Sequence, residues 1–258
     1  MPQIDLEQLE TLSDSLSDAE ITFAWNSAGL SDVGRVRKVN EDAYLSSHEQ
    51  QLWAVADGMG GHSRGDYASK TVVESLLYFS PRRSLRKSII ELDSCLKKAH
   101  DVCRTTFPSE RVGSTVAALY AQADYGFFIW LGDSRIYRLR DGQLEQMTSD
   151  HTVAQEKCDR GELSPLMAAL HPSAHVLTRA IGINFHLTID IHYAKIQAGD
   201  RYLLCSDGLY NELEHKEILH YLAQGTPQQA VAELLAYSLK QGGKDNTTAI
   251  VVDAIKQA

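Results

Sequence analysis

Acidic residues placed directly after short apolar segments are the most chemically suggestive feature of this sequence. A strand that ends in Asp-Gly presents a carboxylate at the rim of a sheet, and the glycine lets the backbone turn away and approach a ligand closely. Several such rims brought together would form an oxygen-rich, negatively charged pocket. The motifs with this character are Asn40-Glu41-Asp42, Asp57-Gly58-Met59-Gly60-Gly61, Gly132-Asp133-Ser134-Arg135, Ser206-Asp207-Gly208 and Lys244-Asp245-Asn246.

A pocket of carboxylates predicts hard divalent cations such as Mg²⁺ or Mn²⁺. Two such cations a few Å apart bridge a water, lower its pKa and direct it in line at a phosphorus atom. Any one of these motifs alone predicts only a turn, as we expect for Asp141-Gly142. The glycine-rich segment Asp57–Gly65 matches neither common phosphate-loop pattern, which argues against a nucleotide site.

The elements that must position these carboxylates come in clusters along the chain. Strands arrive consecutively and helices are grouped between them, which favours an α+β fold with layered antiparallel sheets. Asp66 and Thr226 are predicted helix N-caps, the latter followed by Pro227 at the first helical position. Predicted strands are Leu52–Ala56, Ser114–Ala121, Gly126–Leu131, Arg135–Arg140, Arg201–Cys205 and Thr247–Val252. Predicted helices are Asp66–Phe79, Ser88–Thr106, His151–Arg160, His215–Ala223 and Pro227–Leu239.

Composition sets limits on the class of protein. The chain has 258 residues, 43% of them hydrophobic, and a formal net charge of -9, which disfavours nucleic acid and anionic membranes as partners. No run approaches the ~20 apolar residues of a membrane span. The cysteines are sparse, and the acidic N-terminus does not resemble a secretory signal, so the sequence predicts a cytoplasmic protein. We expect the protein to be monomeric. Residues 1–22 are read as an acidic extension, either disordered or a short docking helix, and 23–258 as the catalytic domain.

Six motifs in order resemble the metal-dependent protein phosphatase family, type 2C, in its bacterial form. The resemblance extends from about Ser27 to Ile255, and the ordered set carries far more weight than any single motif. The motifs are R-x-x-N-E-D (Arg37–Asp42), A-D-G-M-G-G-H (Ala56–His62), G-S-T (Gly113–Thr115), G-D-S-R-x-Y (Gly132–Tyr137), S-D-G-L (Ser206–Leu209) and D-N-T-T (Asp245–Thr248).

The resemblance implies a four-layer α/β/β/α sandwich with two Mn²⁺ or Mg²⁺ ions in a cleft at one end of the sheets. Asp57 would bridge the two metals, and the Gly58 carbonyl would bind one of them. Asp207 and Asp245 would bind the other. Asp133 would help to hold a weaker third metal. The implied metal-binding set is Glu41, Asp42, Asp57, Gly58, Asp133, Asp207 and Asp245.

The implied reaction is hydrolysis of phosphoserine and phosphothreonine in proteins that a serine/threonine kinase has modified. A water or hydroxide bridging the two metals would attack in line while Arg37 grips the phosphate. Some family members have a histidine after Asp-Gly as the presumed general acid, but here that residue is Met59. His62 lies in the same loop and is a candidate for that role, a metal-bound water being the alternative. Asn211 replaces an aspartate that supports the third metal in some members.

Residues 160–179 resemble the mobile flap of the family, and we hypothesise that the flap helps to select substrates. His151 is read as an orienting structural histidine. Two rival functions remain open: a metal-poor, non-catalytic regulator, and a hydrolase of small phosphate esters, because one site chemistry serves both kinds of ester. The histidines interpreted as bystanders are His171, His175, His186 and His192.

Overall fold

Two antiparallel sheets form the centre of the computed structural model, which describes residues 23–60 and 64–256. In the first sheet the strand order is β1-β11-β10-β7-β8, and in the second it is β2-β3-β5-β6-β9, with β4 paired to β3. The strands are β1 Phe23–Asp32, β2 Asp42–Ser47, β3 Leu52–Met59, β4 Gly113–Ser114, β5 Val116–Gln122, β6 Tyr125–Leu131, β7 Arg135–Arg140, β8 Gln143–Gln146, β9 Asp190–Lys195, β10 Arg201–Cys205 and β11 Thr247–Lys256.

Side-chain alternation along the strands divides the core into three apolar layers. In β3, Trp53 and Val55 face the other sheet, whereas Leu52 and Ala54 point to the opposite side. The period of two is the geometry of a pleated strand, and both faces of each sheet are apolar because both are covered. Residues of β10 divide in the same way between the layer between the sheets and the outer layer.

Helices cover the two outer faces, giving the predicted α/β/β/α layering. Val72 and Leu92 are among the helical residues buried against the second sheet, and Ile218 and Val231 among those against the first. No helix in the described part of the chain is long and apolar enough to cross a membrane. The helices are α1 Gly65–Leu77, α2 Leu85–Thr106, α3 Val153–Asp159, α4 Pro165–Ala169, α5 Asp207–Tyr210, α6 His215–Leu222 and α7 Pro227–Gln241.

Helix starts are predicted correctly in one case and wrongly in another. Thr226 caps α7 in a capping box with Gln229, as its sequence indicates. Asp66, however, is not the N-cap of α1. The helix begins one residue earlier, at Gly65, whose amide donates to the Glu41 carboxylate at 3.0 Å. A side chain from a distant loop therefore satisfies the donor that a local cap would otherwise take.

Strand ends from both sheets meet at one edge of the sandwich. β10 ends just before Asp207, and its antiparallel neighbour β11 begins just after Asp245, so these two residues emerge at the same end. Asp133 lies where the chain passes from β6 in one sheet to β7 in the other. Asp42 and Asp57 are register partners across β2 and β3. The topology thus gathers carboxylates that are distant in sequence.

Candidate active site

The G-S-T motif fixes the backbone of Asp57. The Asp57 amide donates to Thr115 Oγ1 at 3.0 Å, and its carbonyl accepts from the Thr115 amide at 2.8 Å and from Ser114 Oγ at 3.0 Å. Thr115 Oγ1 also lies 2.7 Å from Ser134 Oγ. These bonds give Ser114 and Ser134 structural roles and leave the Asp57 carboxylate to face the cavity.

Close backbone packing explains the glycine that follows Asp57. A Cβ on Gly58 would lie 2.0 Å from the Gly65 carbonyl oxygen, which no side chain tolerates. The Gly58 amide donates to the Glu41 carbonyl at 3.0 Å. The loop that carries Glu41 therefore packs directly on the backbone beside Asp57, and α1 starts against the same loop.

Asn246 joins two of the acidic motifs. Its Oδ1 accepts from the Glu41 amide at 2.8 Å, and its Nδ2 donates to the carbonyls of Val33 and Val39 at 2.9 Å each. Asn246 is also the neighbour of Asp245. One buried amide side chain thus holds the R-x-x-N-E-D loop against the D-N-T-T loop, a role that the sequence did not reveal.

Arg37 lies beside the carboxylates, as predicted. Its NH2 donates to Asp245 Oδ2 at 2.6 Å, and this bond raises the pKa of the guanidinium above its usual value. Among described residues, Nε and NH1 of Arg37 have no hydrogen-bond partner, and the side chain is 53% exposed. Donors of the fork therefore remain available to an anion in the cavity.

Burial, reinforced by mutual repulsion, disfavours the charged forms of four acids at this site. Burial and then the Asp42 carboxylate raise the pKa of Asp57 well above its ordinary value. Burial and then Asp245 raise that of Asp207. Burial raises the pKa of Asp42 to about 7, and burial and then Asp207 raise the pKa of Asp133 to about 8. Buried carboxylates this close together favour protonation or cation binding, because both remove the uncompensated charge.

The donor set fits divalent cations on a second ground. Asp42 Oδ1 is buried and has no hydrogen-bond partner, although Oδ2 of the same carboxylate accepts from Ser206 Oγ at 2.7 Å. An orphaned buried oxygen next to other carboxylates calls for a ligand. The oxygens present are of the kind that Mg²⁺ and Mn²⁺ prefer.

A cavity of about 650 Å³ brings the predicted residues together. Asp42 lies behind Asp57, as its strand partner, and does not line the cavity. His62 falls in residues 61–63, outside the described part of the chain. The predicted residues that line the cavity are Arg37, Glu41, Asp57, Gly58, Asp133, Asp207 and Asp245.

Two further residues at this cavity were not selected from the sequence. Arg111 lines it with an exposed guanidinium that has no ion-pair partner among the described residues. His175 also lines it, with a ring nitrogen within 4.8 Å of carboxylate oxygens of Asp133 and Asp207. The interpretation of His175 as a bystander is therefore wrong. Its segment has no local motif that marks it, and only the fold of the flap brings it to the site.

His151 is structural, as predicted. Its Nδ1 accepts from the Gly132 amide at 3.1 Å, so the proton resides on Nε2, which lies 3.1 Å from Asp190 Oδ2. Arg179 donates to the other oxygen of Asp190 at 3.1 Å. This buried network holds the turn before Asp133 and ties it to the end of the flap.

The protein phosphatase 2C model matches residues 34–249, which include every residue that lines the acidic cavity. This chain belongs to the protein phosphatase 2C family. Within the family, the serine/threonine protein phosphatase PstP of Mycobacterium tuberculosis is 34% identical over 242 residues, covering 92% of this chain and 46% of that protein. The chain thus spans about half the length of that relative.

Solved structures agree with the fold of this protein phosphatase 2C chain. One is described as PppA, a key regulatory component of T6SS in Pseudomonas aeruginosa; it has a TM-score of 0.82 and 37% identity, covering 92% of this chain and 99% of that one. Another is the catalytic domain of PstP in complex with 2 manganese ions, with a TM-score of 0.82 and 32% identity, covering 91% of this chain and 100% of that one. The predicted sandwich is confirmed.

Asn211 contacts one of the acidic residues of this protein phosphatase 2C chain. Its Nδ2 donates to Asp207 Oδ2 at 3.1 Å. An amide side chain adds no charge to the site and occupies one oxygen of an expected metal ligand. The acidic cluster therefore has less negative charge beside Asp207 than an aspartate at position 211 would give.

Proposed function

We propose that this protein is a metal-dependent serine/threonine phosphoprotein phosphatase. The observation that carries the proposal is the convergence of Asp57, Asp207 and Asp245 on one cavity beside Arg37. A relative named serine/threonine protein phosphatase and a similar structure holding 2 manganese ions support the activity and the type of metal.

Two divalent cations, Mn²⁺ or Mg²⁺, would be held by the carboxylates of Asp57, Asp207 and Asp245 and by the Gly58 carbonyl. Glu41 and Asp42 would complete or support the shell. When bound, the cations supply an activated water and neutralise charge on the phosphate. A weaker third cation would use Asp133.

The protein's own contribution to the reaction is binding and orientation. Arg37 presents a planar fork that suits two oxygens of a phosphate, and its bond to Asp245 fixes where that fork points. The departing serine or threonine oxygen needs a proton. His62 stays a prediction for that proton transfer.

We propose phosphoproteins made by a serine/threonine kinase as substrates, and a monomer acting in the cytoplasm. The four cysteines are free thiols, which suits a reducing compartment. The net charge of -9 supports a partner other than nucleic acid or an anionic membrane.

The decisive experiment measures Mn²⁺-dependent release of phosphate from a phosphothreonine peptide. Asp57→Asn and Asp207→Asn should each reduce turnover by about a thousandfold or more, because each removes a charged ligand of the activating metals. Asp93→Asn is the matched control, since Asp93 lies on α2, away from the cavity, in a partly exposed pair with Lys97. Circular dichroism checks that each variant is folded.

Near-normal turnover by either site variant at saturating metal would refute the assignment. Metal binding without any phosphatase activity would favour a non-catalytic regulator. Turnover of small phosphate esters at rates far above those on phosphothreonine peptides would favour a hydrolase of small metabolites.

A further inference from the structure

Two arginines line the acidic cavity, and they differ in whether the protein supplies them with an anionic partner. Arg37 donates to Asp245 at 2.6 Å. Arg111 is exposed, and its guanidinium has no hydrogen-bond or ion-pair partner among the described residues. A guanidinium carries five donors in a planar fork that matches the two oxygens of a carboxylate. Arg111 therefore brings to the cavity a charge and a set of donors that the described part of the chain does not use.

The acidic neighbour of Arg111 in the sequence is already paired. Glu110 forms an ion pair with Arg64, the residue directly before α1. The Arg64 guanidinium also lies over the Phe107 ring, 5.1 Å from its centroid. The carboxylate that could most easily neutralise Arg111 thus serves a different cation.

The backbone that carries Arg111 is fixed in the fold. Val112 is 1% exposed, and Gly113 pairs with Met59 in the short ladder between β4 and β3. A Cβ on Gly113 would lie 2.3 Å from the Ile181 carbonyl oxygen, so this segment is closely packed on its other side as well. An exposed side chain on such a backbone loses less freedom on binding than one on a loose loop. Arg111 is thus suited to bind a group at a defined place.

The two arginines approach the cavity from different sheets. Arg37 is tied to Asp245, which precedes β11 of the first sheet, whereas Arg111 precedes β4, which pairs with β3 of the second. With Arg37 on the phosphate, Arg111 faces another part of the same substrate. Five carboxylates line the cavity, and the two cations of the proposed function would offset most of their charge. An acidic group of the substrate would then be attracted to Arg111 without strong repulsion from the site.

We propose that Arg111 is a specificity-determining residue that binds an acidic side chain, Glu or Asp, close in sequence to the phosphorylated residue of the substrate. The inference rests on the proposed function and narrows it to phosphoproteins whose phosphorylated segment is acidic. The two arginines then have separate tasks, since Arg37 binds the phosphate and Arg111 binds a carboxylate beside it. Charge complementarity of this kind discriminates between substrates more than it raises overall affinity.

Matched phosphothreonine peptides test the assignment on the Mn²⁺-loaded full chain. Each peptide carries a single Glu at one of the three positions before or after the phosphothreonine, and its partner carries Gln at that position. At the best position the wild-type kcat/KM should be about fivefold higher for the Glu peptide, as expected for a charge pair open to solvent. Arg111→Ala should bring this ratio to about one, and Arg111→Glu should invert it. Arg83→Ala is the control and should keep the wild-type ratio, since Arg83 is exposed between α1 and α2 and does not line the cavity.

Two results would overturn the proposal: equal kcat/KM within every Glu and Gln pair for the wild type, or a Glu preference that survives in Arg111→Ala. Equal losses on both peptides of a pair in Arg111→Ala would indicate a contact with the scissile phosphate and would also reject the carboxylate. The proposed function is judged separately, by the dependence of turnover on Mn²⁺ and on Asp57. A wild type that needs both and yet shows no Glu preference rejects only the role of Arg111, whereas turnover that needs neither rejects the function itself.

Discussion

At the residue scale, the Arg37 guanidinium has two possible anionic partners, the Asp245 carboxylate and the phosphate of a substrate. In the structure it donates to Oδ2 of Asp245, a residue that we propose as a metal ligand. Phosphate binding needs the remaining donors of the fork. Removing the guanidinium therefore weakens substrate binding while freeing a metal ligand from a competing hydrogen bond.

Arg37→Ala should raise the KM for a phosphothreonine peptide by a factor on the order of 10 to 100, since hydrogen bonds to a charged group contribute about 1.5–3 kcal/mol. Mn²⁺ affinity, measured by calorimetry, should be unchanged or slightly tighter. Arg37→Lys keeps the charge and loses the planar fork of donors, so its KM should lie between those of the wild type and Arg37→Ala. Loss of Mn²⁺ binding in Arg37→Ala would contradict a role in substrate binding.

Site residues differed in how far the sequence revealed them. Asp57, Asp207 and Asp245 are predictable because each lies at the end of an apolar strand, Asp57 inside β3 and the other two beside β10 and β11, and has a small or turn-forming neighbour. His175 and Asn246 have their roles through contacts across the fold. His175 meets Asp133 and Asp207, and Asn246 meets the loop that carries Glu41. No local pattern records a contact of that kind.

At the element scale, prediction succeeded where burial alone determines the strand. β7 and β10 are correct to the residue, because their apolar side chains pack in two layers at once. β1, β2, β8 and β9 were missed. Each is an edge strand with polar residues and partial exposure, and the antiparallel ladder on one side defines it more than its own side chains do.

The flap offers the clearest prediction about an element. Leu166 and Leu170 of the α4 segment are 73% and 78% exposed, and both line a cleft of about 1130 Å³. This cleft adjoins the catalytic cavity, because Asp245 and His175 line both. An apolar surface continuous with the site favours contact with the polypeptide around the phosphorylated residue. A small aryl phosphate would not reach it.

The double variant Leu166→Asn and Leu170→Asn should reduce kcat/KM on a phosphoprotein by about tenfold and change turnover of an aryl phosphate by less than about twofold, since burial of one leucine contributes about 1.5–3 kcal/mol. Leu77→Asn on α1, also exposed, is the matched control. Equal losses on the two substrates would count against substrate selection by the flap.

At the scale of the whole molecule, the site is assembled from both sheets. In the metal-free protein its buried carboxylates should lower the stability of the folded state. Asp57 belongs to one sheet and Asp207 follows a strand of the other, so packing the two sheets together brings like charges into one buried cavity. Function here conflicts with stability. Cations that bind only the folded chain should reverse this conflict.

The stability of the metal-free protein should therefore depend on pH. Burial and neighbouring carboxylates raise the folded-state pKa of Asp42 to about 7 and of Asp133 to about 8, above the ordinary value of 3.8. The unfolded chain releases these protons at lower pH, so the stabilisation they give is complete below about pH 4 and is lost as pH rises to about 8. In chelator, the melting temperature set by these groups should therefore fall across that window.

Asp133→Asn should make this fall in melting temperature less steep, because the amide cannot ionise, whereas Asp93→Asn should leave the slope unchanged.

Saturating Mn²⁺ at pH 7.5 should raise the melting temperature by roughly 5–10 °C, which corresponds to about 2.7 kcal/mol at a hundredfold excess over Kd. At pH 5 the increase should be smaller, since protons compete with the cation for the same carboxylates. A melting temperature that changed with neither pH nor Mn²⁺ would mean that these carboxylates are not buried together as the structure has them, and would contradict a shared cation site.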